Sequence, residues 1–394
     1  MRIARVLTRL NLGGPARQVL GSDPILQARG HEVTVFVGAP EPGEGNLADE
    51  LRATGVDVRH VPGLRRGFSS VLVDDRRAQR YLTQAFEELR PDVVHTHASK
   101  AGAVGRRAAL RSIPSVPRVH TFHGHVLEGY FPAPIGLLLR QIEARLARST
   151  DQLIAVSEAT AADLVRLGVS GAERIEVCPP GIQLDAFLNL PGLALPSERA
   201  STDLRRSLSI PPSAPVVGVI GRLAPVKRTF LAVEVFAAVA REFPDARLLI
   251  AGDGSERRHV EARVAELPES VARRVSLLGA VQDVVPVHGA IDLLLSTSRA
   301  EGMPVAMIEA AAAGRPVVST AVGGVSELVQ NGVTGLLAVD RDGLAAAIAG
   351  LFGAPEDALS LGNRARMRVQ ERHSAEALAT RLDVVYTRLL TSST

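Results

Sequence analysis

Short apolar segments alternate with helical patterns along the whole chain, and this alternation constrains the fold more than any other feature. In the first half, strands are predicted at residues 3–7, 33–37, 93–95, 118–121 and 153–156. In the second half, they are predicted at residues 215–220, 247–251, 275–278, 291–296 and 316–319. Strands that alternate with helices predict parallel sheets covered by helices on both faces. The fold class is therefore α/β, with doubly wound parallel sheets.

The length and the distribution of proline and glycine indicate two domains. The chain has 394 residues, more than one hydrophobic core usually carries. A stretch rich in proline and glycine separates the two halves, which is typical of a connection. We expect a first domain at 1–190, a linker at 191–213, a second domain at 214–365 and a C-terminal helix at 366–394 that packs back on the first domain. Two sheets joined in this way imply a central cleft, a common place for a ligand.

The composition excludes several classes of function. Aromatic residues make up 3% of the chain and tryptophan is absent, which argues against a protein that binds nucleic acid by stacking bases. Cys178 is the only cysteine, so an intrachain disulfide and a site with several thiolates are excluded. No apolar stretch approaches 18 residues, and arginines interrupt the first one, so neither a membrane span nor a signal peptide is expected. We therefore expect a cytoplasmic protein.

A basic helical pattern is compatible with contact with a membrane. Arg140, Arg145 and Arg148 share a helical pattern with the three leucines at 137–139. Such a pattern fits a solvated helix face, and it also fits a basic amphipathic helix resting on a membrane surface. A peripheral position at the inner face of the membrane is the alternative that this pattern adds.

Two glutamates flank a predicted helix start. Glu301 follows the predicted strand 291–296, and Pro304 is well placed to open a helix that carries Glu309 in its second turn. In an open α/β sheet, ligands bind at the carboxyl ends of the strands, and a helix N-terminus offers unpaired N–H groups to phosphate. A carboxylate near a reacting sugar and another near ribose hydroxyls would suit an enzyme of nucleotide sugars. The alternative is that both glutamates are solvated.

Cations and glycines follow other predicted strands. Gly221 lets the backbone turn off the strand that ends at Ile220, and Arg222 and Lys227 could then neutralise a pyrophosphate. An ordinary loop with surface cations is the alternative. The glycine pairs Gly13–Gly14 and Gly323–Gly324 occupy the same topological place and could offer backbone N–H groups to a phosphate or a sugar hydroxyl, although such a pair is often only a turn.

Histidines cluster after two first-half strands. His123 and His125 flank Gly124, where a histidine can donate to a substrate hydroxyl or relay a proton near neutral pH. His95, His97 and His120 are close in sequence, which raises a metal site as an alternative. Their spacing fits two separate strands, and no carboxylate or cysteine accompanies them at ligand spacing. No metal is expected.

In this order, the motifs resemble those of the retaining glycosyltransferases of family 4, over nearly the whole chain. The resemblance is carried by Gly221-Arg-Leu-x-x-x-Lys227, the pair Glu301 and Glu309, and Gly323-Gly-Val-x-Glu327. It implies the GT-B architecture of two Rossmann-like domains that face a central cleft. It also implies transfer with retention and without a metal or other cofactor, in which positive side chains stabilise the leaving diphosphate.

The resemblance assigns roles to individual residues. Arg222, Lys227 and the backbone at Gly14 would hold the donor diphosphate, and Glu309 would bind the nucleotide ribose. The residues it implies in catalysis are Arg222, Lys227, Glu301 and His123, with Glu301 engaging the transferred sugar and His123 lying against its ring. The residues it implies in donor binding are Gly13, Gly14, Gly221, Gly302, Met303, Pro304, Glu309, Gly323 and Gly324.

The histidine segments resemble a bacterial subgroup that acts in surface-polysaccharide assembly. This resemblance places His97, Lys100 and His125 on the acceptor side and implies a saccharide or lipid-linked acceptor. The expected activity is transfer of a hexosyl or N-acetylhexosaminyl group from a nucleoside-diphosphate sugar, with UDP as the default nucleotide. A 2-epimerase-like isomerase and a catalytically silent sugar-nucleotide binding protein are the alternatives.

Two segments depart from the family pattern. The segment after Gly14 normally forms one long helix, and Pro24, in Gly21-Ser-Asp-Pro24, predicts an interruption that would reshape the acceptor side or impair activity. Cys178-Pro-Pro-Gly181 stands where the family often has Pro-Asn-Gly, which puts a role for this loop in doubt.

Overall fold

In the structure, a computed structural model, the chain divides into two units. The structure describes residues 1–41, 44–65, 71–124, 127, 133–195, 197–198 and 201–391, except for the side chains of 71 and 72. Unit 1 comprises Met1–Gln183 together with His373–Thr394, and unit 2 comprises Leu184–Arg372.

Unit 1 is built on a seven-stranded parallel sheet in the order β3-β2-β1-β4-β5-β6-β7. Its strands are β1 Arg2–Leu7, β2 Glu32–Val37, β3 Asp57–His60, β4 Val93–His97, β5 Arg118–Phe122, β6 Gln152–Ala155 and β7 Ile175–Val177. The central strands are buried along their whole length, as expected for a parallel sheet covered on both faces.

Helices cover both faces of this sheet. They are α1 Gly14–Ala28, α2 Ala48–Ala53, α3 Val71–Leu89, α4 Ser99–Ser112, α5 Ala133–Arg148 and α6 Glu158–Arg166, with a 3-10 turn at Ala172–Arg174. The last helix of the described chain, Ala375–Thr391, also belongs to unit 1, where Leu382, Val385 and Tyr386 enter the same core as α1 and β1.

Unit 2 is built on a six-stranded parallel sheet in the order β10-β9-β8-β11-β12-β13. Its strands are β8 Val216–Ile220, β9 Arg247–Ala251, β10 Val275–Gly279, β11 Leu293–Ser296, β12 Val317–Thr320 and β13 Gly335–Ala338. Leu248, Ile250, Leu293 and Leu295 form the sheet side of a core that helix residues such as Phe236 complete.

The helices of unit 2 are mostly short. They are α7 Asp185–Leu188, α8 Asp203–Ser207, α9 Thr229–Glu242, α10 Arg257–Ala265, α11 Glu269–Ala272, α12 Val285–Ala290, α13 Val305–Ala312, α14 Val325–Leu328, α15 Arg341–Gly353 and α16 Pro355–Arg372, with a 3-10 turn at Pro225–Lys227. The helix Ala375–Thr391 of unit 1 is then α17. Among the described helices, none has by itself the length and apolarity to cross a membrane, although the sharply bent pair α15–α16 reaches them jointly.

The structure divides the chain differently from the expected boundaries. Unit 2 begins at Leu184, and residues 191–213, expected as a linker, lie within it. Arg205 in that stretch is buried, donates to the carbonyl oxygen of Ala290 at 2.8 Å and pairs with Asp292 at 3.1 Å. The return to unit 1 comes at His373, and α17 packs against α1.

The predicted interruption of the first helix is wrong. α1 runs without a break from Gly14 to Ala28 and contains Pro24. Pro24 cannot donate to the carbonyl of Leu20, which ordinarily destabilises a helix interior. Here tertiary contacts hold the segment: Asp23 pairs with Arg5 of β1, and Gly21 packs closely against Ala375 of α17.

Candidate functional site

The predicted site residues gather where the order of strands reverses. In unit 1 this switch lies between β1 and β4, and in unit 2 it lies between β8 and β11. Ligands of open α/β sheets bind outside the carboxyl ends of the strands at such a point. In unit 1, Gly13 and Gly14 follow β1, and His97 is the last residue of β4. In unit 2, Gly221 follows β8 and Glu301 follows β11.

Glycines allow two loops of unit 2 to approach each other closely. Gly221 follows β8 with φ of 145°, and its N–H donates to the carbonyl oxygen of Ala251 at 2.9 Å. Gly252 follows β9 with φ of 152°, and a Cβ atom there would overlap the carbonyl oxygen of Gly221. Residues other than glycine rarely adopt these φ angles. The backbone at the carboxyl end of β8 is therefore fixed.

Lys227 and Glu301 meet across the β8 and β11 loops. Lys227 Nζ lies 2.5 Å from Glu301 Oε1, and Ser298 Oγ donates to the same oxygen at 2.5 Å. The backbone reinforces the contact, because Thr297 Oγ1 donates to the carbonyl of Lys227 at 3.0 Å and Arg228 Nε donates to the carbonyl of Thr297 at 2.8 Å. The ammonium of Lys227 and the carboxylate of Glu301 are thus held together as an ion pair.

A small cavity surrounds this pair. Among its lining residues are Gly221, Arg222, Lys227, Glu301 and Pro304. Pro304 caps the N-terminus of α13, as predicted, so the first turn of that helix begins beside the cavity. The cavity joins a helix N-terminus and two cationic side chains, a combination suited to phosphate.

Glu309 faces a different neighbour. It lies in the second turn of α13, as predicted, but it is only 3% exposed and does not line the cavity. Its Oε2 lies 3.5 Å from Nε2 of His288, a fully buried residue of α12 whose ring packs edge-on against Phe187. The structure thus adds a partner for Glu309 that the sequence did not indicate.

The second glycine pair supports the backbone of Glu301. Gly323 has φ of 51°, and a Cβ atom there would overlap the carbonyl oxygen of Glu301. The N–H of Gly324 donates to the same oxygen at 3.3 Å. Gly302 and Met303 continue from this point to α13, and Met303 is buried. The loops after β11 and β12 are therefore in direct contact.

In unit 1, the first glycine pair starts α1. Gly13 is the N-cap in an extended conformation, with Pro15 in the first turn, and its N–H donates to the carbonyl of Asn11 at 2.6 Å. Gly14 is the first residue of the helix. This leaves a helix N-terminus directly after the loop from β1.

A buried network links His97 and His123. Arg5 pairs with Asp23 and donates from Nε to Nε2 of His97 at 3.3 Å. Nδ1 of His97 lies 2.9 Å from Nε2 of His123, and Nδ1 of His123 lies 3.4 Å from the amide nitrogen of Gln18. Burial and the charge of Arg5 lower the pKa of His123 to about 3, so its ring is neutral at physiological pH.

The other described histidines of the cluster serve the packing of unit 1. His95 Nδ1 lies 2.6 Å from the hydroxyl of Tyr386 in α17, and His120 Nδ1 lies 2.8 Å from Thr96 Oγ1. Burial lowers the pKa of both rings well below the usual value. The described part of the chain contains no group of three or more side chains that could hold a metal ion.

Two of the predicted acceptor residues lie at the junction of β4 and α4. His97 belongs to the buried network, and Lys100, in the first turn of α4, pairs with Asp75 of α3 at 3.0 Å. His125 lies outside the described residues.

Four residues of these networks were not predicted from the sequence: Arg5, Gln18, Asp23 and Tyr386. Arg5 and Asp23 carried a usable signal, because a charge inside an apolar strand and another inside a helix must find a partner if both segments are buried. Gln18 and Tyr386 carried none, since neither stands out from the helical pattern around it.

Comparison with known proteins names the family. Residues 13–186 match the family described as Glycosyltransferase Family 4, and residues 214–353 match the one described as Glycosyl transferases group 1. A D-inositol 3-phosphate glycosyltransferase of Xylanimonas cellulosilytica is 30% identical over 94% of this chain and 91% of that protein. The chain belongs to glycosyltransferase family 4. The prediction of a glycosyltransferase is therefore confirmed at the level of the family.

Two further relatives differ in how much of their length matches this chain. A D-inositol 3-phosphate glycosyltransferase of Mycobacterium sp. (strain KMS) is 35% identical, but the match covers 64% of this chain and 56% of that protein. The chain thus spans about half the length of that relative. A UDP-Gal:alpha-D-GlcNAc-diphosphoundecaprenol alpha-1,3-galactosyltransferase of Escherichia coli is 27% identical over 86% of this chain and 84% of that protein.

Solved structures share the fold of this family 4 member. Anabaena HepE, solved in complex with UDP and glucose, superposes with a TM-score of 0.82 and 21% identity, covering 98% of this chain and all of that one. Together with the two parallel sheets, this confirms the predicted GT-B fold class of two Rossmann-like domains.

Proposed function

We propose that this chain transfers a hexosyl or N-acetylhexosaminyl group, with retention, from a UDP-sugar to a saccharide or lipid-linked acceptor. The observation that carries the proposal is the Lys227–Glu301 pair in a cavity that Arg222 and the start of α13 also border. Two cations and a helix N-terminus at one cavity support binding of a diphosphate, and the carboxylate beside them supports contact with sugar hydroxyls. The names of the E. coli relative and of the Anabaena structure favour UDP.

The chemistry assigned to the site is stabilisation of a leaving group. The bond between the anomeric carbon and the diphosphate oxygen breaks, and the diphosphate keeps the electron pair. Arg222 and Lys227 stabilise the charge that develops on it. The acceptor hydroxyl oxygen bonds to the same face of the anomeric carbon and passes its proton to the leaving phosphate. This step needs neither a metal nor a separate general base.

Two relatives indicate different classes of acceptor. The E. coli relative is named for a sugar on diphosphoundecaprenol, which supports a lipid-linked acceptor. The Xylanimonas relative is named for D-inositol 3-phosphate, which supports a phosphorylated polyol instead. Incubation of the chain with a UDP-sugar and each acceptor class, followed by mass spectrometry of the products, distinguishes the two.

We also propose cytoplasmic placement with peripheral contact at the inner face of the membrane. Ile135, Leu137 and Leu138 of α5 are 43%, 55% and 54% exposed, and Arg140 and Arg145 follow on the same helix. Exposed apolar side chains next to cations suit an anionic lipid surface. Sedimentation with anionic vesicles, compared with neutral ones, tests this, and a Leu137→Ser/Leu138→Ser variant should bind less.

The first experiment is a thermal-shift screen of UDP-, GDP- and ADP-sugars, with and without EDTA. Selective stabilisation by a UDP-sugar that persists in EDTA supports the metal-free donor site. The Glu309→Ala variant, which should bind UDP more weakly, is the control that separates this site from binding elsewhere. Formation of a C2-epimer without acceptor would favour the isomerase alternative. Donor binding without turnover of any acceptor would favour a silent binding protein.

A further inference from the structure

A chain of hydrogen bonds connects Asp23 to His123 in unit 1. Asp23 pairs with Arg5, Arg5 Nε donates to His97 Nε2 at 3.3 Å, and His97 Nδ1 lies 2.9 Å from His123 Nε2. Asp23, Arg5 and His97 are buried, whereas His123 is half-buried. A neutral imidazole has one N–H group and one acceptor nitrogen, so each bond in this chain fixes the role of the next atom.

Arg5 determines the direction of the chain, because a guanidinium donates hydrogen bonds and cannot accept them. Nε2 of His97 is therefore an acceptor, and the proton of this ring lies on Nδ1, where it is donated to His123 Nε2. His123 then carries its own proton on Nδ1. Burial, with the neighbouring charges, lowers the pKa of both rings, so neither takes a second proton near neutral pH.

Gln18 stands at the other end and can adapt. Its amide nitrogen lies 3.4 Å from His123 Nδ1. A side-chain amide can flip, which exchanges the positions of its oxygen and nitrogen with almost no change in shape. The guanidinium of Arg5 has no such freedom. Arg5 therefore determines the proton positions along the chain of hydrogen bonds. Gln18 accepts the Nδ1–H of His123 through its oxygen.

We propose that Asp23 and Arg5 are positioning residues that hold His123 as the Nδ1–H tautomer, so that it donates a hydrogen bond to an oxygen of the transferred sugar. The identity of that ligand rests on the proposed function, whereas the tautomer is a property of this chain alone. The contact with Gln18 is long, so a ligand oxygen at the usual distance of about 2.9 Å can replace it. In this state Nδ1 of His123 acts as a donor and not as a base.

Nitrogen-15 NMR of the ligand-free protein, labelled at the histidine rings, reads the tautomer directly at neutral pH. The signals of His123 are identified by their loss in His123→Asn, and we expect the Nδ1–H pattern for His123 and His97. Arg5→Lys keeps a donor-only group and should keep the pattern. The double variant Arg5→Met/Asp23→Leu removes both charges together, which leaves no buried charge unpaired. In it, we expect His123 to shift towards Nε2–H.

Two outcomes overturn the inference: an Nε2–H pattern for His123 in the unmodified chain, or an unchanged Nδ1–H pattern in the double variant. The unmodified spectrum decides by itself if the double variant does not fold. His120 is the internal control, because its bond to Thr96 Oγ1 does not involve Arg5.

Binding of UDP and of UDP-glucose tests the second half of the proposal. The double variant should lose about tenfold in affinity for UDP-glucose and little for UDP, since only the sugar contact is lost. Equal losses for both ligands would overturn the donation to the sugar. If neither ligand binds the unmodified chain, the proposed function fails, while the NMR result still decides the tautomer.

Discussion

Lys227 Nζ lies 2.5 Å from Glu301 Oε1, so the cation proposed for the donor diphosphate is already paired in the unliganded chain. Lys227→Ala should chiefly slow turnover, by about a hundredfold in kcat, because the charge on the leaving diphosphate is then less stabilised. Glu301→Gln should lower kcat too, but it should raise the affinity for UDP, because it frees the ammonium from its carboxylate. Steady-state kinetics and calorimetry with UDP measure the two effects.

The gain in UDP affinity expected for Glu301→Gln is the decisive part of this prediction. Ser298→Ala removes the second hydrogen bond to Glu301 without changing any charge, and it serves as the matched control. A Glu301→Gln variant that binds UDP more weakly than the unmodified chain would contradict the assignment of Lys227 to the diphosphate.

Glu309→Ala should weaken both donor binding and stability. Loss of a charged hydrogen bond to ribose would lower the affinity for UDP by about 10- to 100-fold. Loss of the buried contact with His288 at 3.5 Å would lower the free energy of unfolding by about 1–3 kcal/mol. His288→Leu is the control, because it should reduce stability alone. If both variants lose UDP affinity to the same extent, Glu309 acts through the fold and does not contact the ribose.

Gly323→Ala should disrupt the site, since a Cβ atom there overlaps the carbonyl oxygen of Glu301 and the backbone has φ of 51°. We expect a loss of more than about 2 kcal/mol in the free energy of unfolding and of most donor binding. Gly332→Ala shares the positive φ, at 74°, but meets no atom within 4 Å, so it should cost only about 1 kcal/mol. Comparable losses in the two variants would show that Gly323 does not support Glu301.

Cys178 should be inert in the folded chain. It is buried in the core of unit 1, and burial raises the pKa of its thiol to about 12, so almost no thiolate is present near neutral pH. Reaction with a disulfide reagent should occur at full rate only in denaturant. Rapid labelling of the native protein would show that the core around Cys178 opens readily.

The buried histidines should make stability fall as pH falls. The pKa of His120 lies well below its usual value because of burial, whereas an unfolded histidine titrates near about 6.5. The unfolded chain therefore binds more protons below about pH 7, and the contribution of His120 to stability is present above that pH and lost as pH decreases. Denaturation at about pH 7.5 and pH 5 should show a loss that is about 2 kcal/mol smaller in His120→Asn. His60→Asn, at an exposed position, is the control and should behave like the unmodified chain.

All ten predicted strands are present. Several of them, such as β9, β11 and β12, are apolar runs buried inside a parallel sheet, which makes them easy to identify. The strands that the sequence analysis missed in the described chain are β3, β7 and β13, which have three or four residues each. β3 reads Asp57-Val-Arg-His60 and lies at the edge of its sheet, so it has neither the apolar run nor the length that identifies a strand.

The candidate site was also predictable only in part from the sequence. The positions of Gly221, Lys227 and Glu301 at strand ends followed from the sequence, since proline and glycine mark where strands and helices begin. The contact between Lys227 and Glu301 did not follow, because it depends on how two loops 74 residues apart converge. The continuity of α1 through Pro24 was missed for a similar reason: the cost of proline is local, whereas the contacts that offset it come from β1 and α17.

The return of α17 to unit 1 has a consequence for synthesis on the ribosome. Leu382, Val385 and Tyr386 complete the core under α1, yet they are translated after the whole of unit 2. Until then, the part of α1 that packs against α17 is uncovered, and His95 lacks the hydroxyl of Tyr386. A nascent chain arrested before residue 375 would therefore expose this face to chaperones, even though every strand of its sheet had already emerged.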